Sequence, residues 1–167
     1  ENSFVSNLRT HPRIYITDWE DARNKIATDY TYQVIYEKQK QAADALLSEP
    51  VTPYVFKNGR NWLWGARQVE ERVSVLAFVY GISGDARYKD RAMEEIRVAG
   101  SYPDWSPSAP MIAAECMGGI ALAYDWMYHG LSASEKQEII TILKEKVLWQ
   151  YARSYEGVTS VEIALGV

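Results

Sequence analysis

The chain has 167 residues, of which 47% are hydrophobic and 24% charged, with a formal net charge of −4; that is long and apolar enough to bury a core without covalent staples. Its charges of both signs are interspersed, which removes the electrostatic case for nucleic acid or a membrane surface, while local arginines can still meet a polyanion. The single cysteine, Cys116, excludes an internal disulfide, and no Cys/His cluster has metal-ligand spacing, so neither a metal nor another cofactor is expected.

In chain order, residues 11–16 form a short extended lead containing Pro12. Thr17 followed by Glu20 is a capping box and predicts a helix start. A second helix is predicted over about residues 32–48, with Ile35, Ala42, Ala43, Leu46 and Leu47 on one face and Glu37, Lys38 and Lys40 on the other. Pro50 and Pro53 stop it. Residues 50–62 carry Pro, Gly and Asn at turn positions and read as a loop with room for a short strand. From Trp62 the pattern changes: Trp62, Ala66, Val69, Val73, Leu76 and Tyr80 recur at spacings of four and three, and Val75, Phe78, Val79 and Ile82 add a second stripe. Gly84 ends this helix and Asp85 can cap the next.

Residues 86–100 set Arg87, Lys89, Asp90, Arg91, Glu94, Glu95 and Arg97 against Tyr88, Ala92, Met93, Ile96 and Ala99, the pattern of an amphipathic surface helix. Residues 109–128 are apolar nearly all round, as an inner helix would be. Glu115 and Asp125 interrupt this run, so it does not read as a membrane span. Ser132 and Glu135 make a second capping box. The helix after them is predicted to reach Tyr151, with Ile139, Ile140, Leu143 and Val147 inward and Lys136, Glu138, Lys144 and Lys146 outward.

The buried and surface helices therefore alternate. Laying residues 69–81 over 113–125, an offset of 44, matches Glu71 to Glu115, Ala77 to Ala121 and Tyr80 to Tyr124. The expected fold is all-α: antiparallel helical hairpins forming a partial, incomplete α/α toroid. One helical domain over residues 1–167 would hold about three hairpins, where a six-hairpin toroid needs roughly 260 residues, so the chain reads as a fragment of a longer toroid. Inner-helix surface left open would be covered by the C-terminal tail, by a second copy in a homo-oligomer, or by the rest of a longer protein. The first residue is Glu1, which fits either a processed secreted protein or a trimmed N-terminus.

Several stretches carry a family resemblance: HPRIYITDWEDARNKI, RQVEERVSVLAFVYGISGDARYKDRAMEEI, YPDWSPS and AAECMGGIALAYDWMYHGLSASEKQEIITILKEKVL. In this order, over about residues 11–150, they resemble the N-terminal α/α-toroid domain of heparinase II/III-like polysaccharide lyases and the related alginate lyases. The resemblance implies a cleft that binds uronic-acid polysaccharides and cleaves them by β-elimination. That chemistry needs charge relief on the uronate carboxylate, a base for the proton α to it, and an acid for the leaving oxygen; in the family Asn, His, Arg and Tyr supply them. Where relatives continue PDWSPS with His-Phe-Leu-Asp and then Thr-Ala-Glu-Met, this chain has Ala109, Pro110, Met111 and Ile112, then Ala113, Ala114, Glu115 and Cys116. Glu115 fits and the His and Asp positions do not, so the catalytic set is expected to be incomplete and no catalytic residue is assigned. The expected setting is periplasmic or secreted.

Six residues are the candidates for binding an acidic polysaccharide: Trp105, Glu115, Arg67, Arg72, Trp62 and Tyr54. Guanidinium forks suit uronate or sulfate, and flat rings in loops or at helix starts suit sugar faces, Trp105 first among them. Each has a structural alternative. Glu115 can pair with Arg67 or Arg72, the arginines with Glu70 and Glu71, and the rings, Trp64 and Tyr102 included, can plug the core. His11 and His129 are weaker candidates for a base, Tyr80 and Tyr124 read as inner-wall packing, and Cys116 as an inert buried thiol. The competing function is a non-catalytic helical domain for sugar binding or oligomerisation. A glycoside hydrolase would need two carboxylates facing across a cleft, such as Glu71 and Glu115.

Overall fold

The computed structural model describes residues 9–57, 59, 61–106 and 109–148. Among them every regular element is helical: α1 (Trp19–Thr28), α2 (Tyr30–Leu46), α3 (Leu63–Ser83), α4 (Ala86–Ser101), α5 (Pro110–Met127) and α6 (Ala133–Leu143), the last running into a π-turn at Lys144–Leu148. Tyr151 and the rest of the C-terminal tail lie outside the described residues. The segment between α2 and α3 contains no strand among the residues described.

Local chemistry sets most boundaries. Asp18, rather than Thr17, caps α1, its carboxylate accepting from the amides of Glu20 and Asp21. Asp29 caps α2 through Thr31 and Tyr32, which starts that helix two residues earlier than the apolar pattern indicates. Gly84 closes α3 in the left-handed region at φ 71, a conformation glycine adopts without strain. Pro110 opens α5, and the Ser132–Glu135 capping box opens α6 as expected.

Helices α3 and α5 lie side by side and parallel, because Arg67 meets Glu115, Glu70 meets Gly119 and Tyr80 meets Gly130. Helices α4 and α6 form a second parallel layer, with Lys89 meeting Glu135, Arg97 meeting Glu138 and Gly100 meeting Ile142. The core between them includes Val69, Val73, Leu76, Met93, Ile96 and Ile120, all fully buried. Buried positions of the two inner helices correspond at an offset of 47, not the 44 of the sequence identities: Gly65 with Ile112, Ala66 with Ala113, Val69 with Cys116, Val73 with Ile120 and Leu76 with Ala123. The two offsets differ by nearly a helical turn, so identity and burial follow neighbouring stripes.

The tightest approach is at Gly119, where a Cβ would stand 2.4 Å from the Cα of Glu70. Its neighbour Gly118 has nothing within 4 Å of the same position. With Met111 and Ala114 it leaves one face of α5 open, so this helix is not covered all round among the described residues. Helix α2 also departs from expectation: Ile35 and Ala42 are exposed, and only Ala43 and Leu46 reach the core.

Two buried carboxylates fasten the loops. Glu95, on what the charge pattern marks as the wet face of α4, is only 1% exposed. It accepts from the Thr52 amide at 2.9 Å, from Arg72 at 3.0 Å and from Arg91 at 2.9 Å. Arg91, also buried, donates to the carbonyls of Leu46 and Glu49, which satisfies the end of α2. At the other end of the molecule Asp125 accepts from His11 Nδ1, from the Arg13 amide at 2.7 Å and from the Ile14 amide at 3.0 Å. Trp126 Nε1 donates to the Ile14 carbonyl and His129 Nε2 to that of His11, so the lead segment is clamped onto the end of α5. No described helix is long and apolar enough to cross a membrane.

Removing the Asp125 carboxylate leaves three donors without their acceptor, so Asp125→Ala is expected to cost about 1–3 kcal/mol in urea unfolding. The adjacent glycines should give opposite signs in the same measurement. Gly119→Ala is expected to destabilise by about 1–3 kcal/mol through overpacking, and Gly118→Ala to stabilise by roughly 0.5–1 kcal/mol through helix propensity.

Candidate functional site

The loop before α3 is held from beneath by aromatic packing. Trp62 is fully buried against Tyr54 and Tyr102; its indole donates to the Pro53 carbonyl and its amide to Ser106 Oγ. With Trp62 turned inward, the first turn of α3 presents Trp64 and Arg67 on the opposite side. The Lys57 ammonium sits 3.5 Å above the Trp64 ring. Together with Asn61 and Leu63 these groups line a cleft of about 190 Å³.

Arg67 reaches across from α3 to α5 and makes a fork with Glu115, Nε to Oε2 at 3.0 Å and Nη2 to Oε1 at 3.1 Å. The guanidinium side chain is 59% exposed and the carboxylate 21%, so water screens the pair and it contributes little to stability. One turn along, burial first and then the Glu115 charge raise the Glu70 carboxyl above its ordinary value, opposed by Arg67. The arrangement is an exposed cation pair, Lys57 and Arg67, beside an indole ring and the carboxylates of Glu70 and Glu115, the first with its proton affinity raised. It can bind an anionic group in a fork, hold a ring against Trp64, and keep a proton on Glu70 longer than on an ordinary glutamate.

Of the six sequence candidates, Arg67 and Glu115 meet here. Tyr54 stands behind the cleft, half-buried, donating to Asp104 at 3.2 Å; burial, then Asp104, raises its phenol. Trp62 and Trp105 are 0% exposed and serve as core plugs, the Trp105 indole donating to the Ala99 carbonyl. Neither offers a face to a sugar, which corrects the expectation of a Trp105 platform. Arg72 is used up by Glu95, Glu49 and the Pro50 carbonyl; it ties α3 to α4 instead of facing ligand or pairing with Glu70 or Glu71. Glu71 is exposed, and it is Glu70 that shares its surroundings with Glu115.

Sequence reasoning missed Lys57 and Asn61 and left Trp64 as one ring among several. Their only signal is that they flank the Trp62 anchor, whose burial decides which side chains face out. His11, on Asp125, and His129 sit at the far end of α5, roughly 15–20 Å along the axis from Glu115, and are occupied by the lead-segment clamp. Tyr124 packs against the rings of His11 and Tyr128. Burial pushes the Cys116 thiol up, so it is no nucleophile. Among the described residues no group of three or more His, Cys, Asp or Glu could hold a metal ion. No family model matches the chain.

The raised Glu70 carboxyl has a definite sign. The folded state holds this proton more tightly than the unfolded chain, so its effect on stability turns unfavourable as pH rises from the ordinary glutamate value of 4.5 through the raised one. Glu70→Gln removes the titration. The variant is expected to gain on the parent chain in urea midpoint between about pH 4 and pH 7; a difference independent of pH would show that Glu70 titrates normally.

Proposed function

We propose that this chain is part of a polysaccharide lyase of the heparinase II/III-like or alginate lyase kind, contributing the acidic-sugar binding surface of an incomplete α/α toroid in a periplasmic or secreted protein. The stretches quoted above support the family, and the two parallel layers are compatible with a toroid's inner and outer walls. The observation that carries the binding role is the exposed Arg67 fork. A guanidinium held by so weak a surface pair can exchange Glu115 for a uronate carboxylate, with Lys57 adding charge and Trp64 a ring face. β-Elimination needs that charge relief, and it also needs a base. The described residues place no histidine beside Arg67, so the chain by itself holds polysaccharide without turning it over.

A second reading, oligomerisation, is favoured by the open face of α5, where Met111 is 57% exposed beside Ala114 and Gly118. Sedimentation of the parent chain and of Met111→Glu separates the two, since only association through this face is lost in the variant.

Affinity electrophoresis in gels containing alginate or heparin, with dextran as the neutral control, tests the main reading. Retardation by the uronates alone is expected, weakened about tenfold by Arg67→Ala, roughly the effect of one charged hydrogen bond. Glu115→Gln removes the competing carboxylate and is expected to tighten binding. Equal mobility of all three proteins in every gel would refute the assignment, and release of unsaturated uronate by the chain alone would refute the incomplete catalytic set.

A further inference from the structure

A second concavity lies away from the Arg67 cleft, between the lead segment, α1 and α2. Its volume is about 450 Å³, within the range of small-molecule sites. Ile26, Tyr32, Ile35 and Phe78 form its apolar walls, and Asp18 and Asp21 stand at its rim.

Three features distinguish it from an ordinary surface dip. Helix α1 packs Trp19 against Phe78 and Trp126 but buries none of its residues, and its Ala22 and Ile26 line this space. Tyr15, which also lines the space, is 89% exposed at φ 59, a left-handed conformation that strains a non-glycine residue. Its ring makes no aromatic contact among the described residues. Tyr32 and Ile35 are likewise about half exposed, so an occupant would cover apolar surface the fold leaves wet.

The charges select the occupant. Among the described residues Lys25 is the one cation in the lining, and it is already paired with Asp21 at 2.7 Å. Asp18 gives Oδ1 to two helix amides, and its Oδ2 has no hydrogen bond among the described residues. The described rim therefore carries one net negative charge, and Tyr15, Tyr32 and Phe78 in the lining supply aromatic rings, a composition that suits a cation. We propose that this concavity binds a small ammonium compound with an apolar body, the body against Ile26, Ile35 and Phe78 and the ammonium towards Asp18.

Amide chemical-shift titration of the whole chain with phenethylamine, and in parallel with the anion phenylacetate, tests this. Phenethylamine is expected to shift residues of α1 and α2 and to saturate with a Kd on the order of 1 mM or below, phenylacetate at least about tenfold more weakly. Tyr15→Gly, which suits the left-handed backbone, and Ile35→Lys, on an exposed position, should each weaken the amine several-fold with the circular dichroism unchanged. Absence of saturation by either compound, equal binding of both, or unchanged affinity in both variants would overturn the proposal. Uronate retardation in gels is expected to be the same in both variants, which separates this site from the Arg67 cleft.

Discussion

The close passage of α3 against α5 at Gly119 is the constraint on which the rest of the architecture hangs. A Cβ at that position would meet Glu70 backbone at 2.4 Å, so the two helices can lie this near only because one of them lacks a side chain there. Their proximity puts Arg67 within reach of Glu115 and brings Glu70 under the influence of the Glu115 charge. It also sets the floor on which α4 and α6 are layered. An alanine in place of Gly119 would push Glu115 on α5 away from Arg67 on α3.

Around that contact the molecule uses ionised groups as fasteners for chain that has little apolar surface of its own. Residues 47–52 are held by Glu95, Arg72 and Arg91, and the lead segment by Asp125. In each case a buried carboxylate accepts three hydrogen bonds, which is the condition under which a buried charge is tolerated. The exposed Arg67–Glu115 fork obeys the opposite rule. Water screens it, it contributes little to stability, and its guanidinium stays available to another anion. Burial thus divides arginines of similar sequence surroundings into two roles, Arg72 structural and Arg67 accessible.

The aromatic residues divide in the same way. Trp62 and Trp105 fill the core beneath the loops at the N-terminal ends of α3 and α5, and each indole N–H finds a backbone carbonyl. Trp64, two residues after Trp62 and therefore roughly on the other side of the helix, is left at the surface under Lys57. At these junctions residue type alone did not separate plug from platform, because the same large amphipathic ring serves either use.

What the sequence determined by itself was local: the helical character of the elements and their order, the Asp85 cap, the Gly84 stop and the Ser132–Glu135 box, because these depend on residues close together in the chain. It also marked Arg67 and Glu115 as partners, among other pairings. The tertiary structure alone decided that Glu95 and Arg91 point inward, that α5 keeps an open face, that Ile35 faces water, and that Lys57 and Asn61 join Arg67 at one cleft. Charged residues default to solvent unless a distant segment supplies partners, and those partners, Thr52, Leu46 and Glu49, lie more than forty residues away in the chain. Periodicity records which side of a helix is apolar; whether another helix arrives to cover that side is settled only by packing.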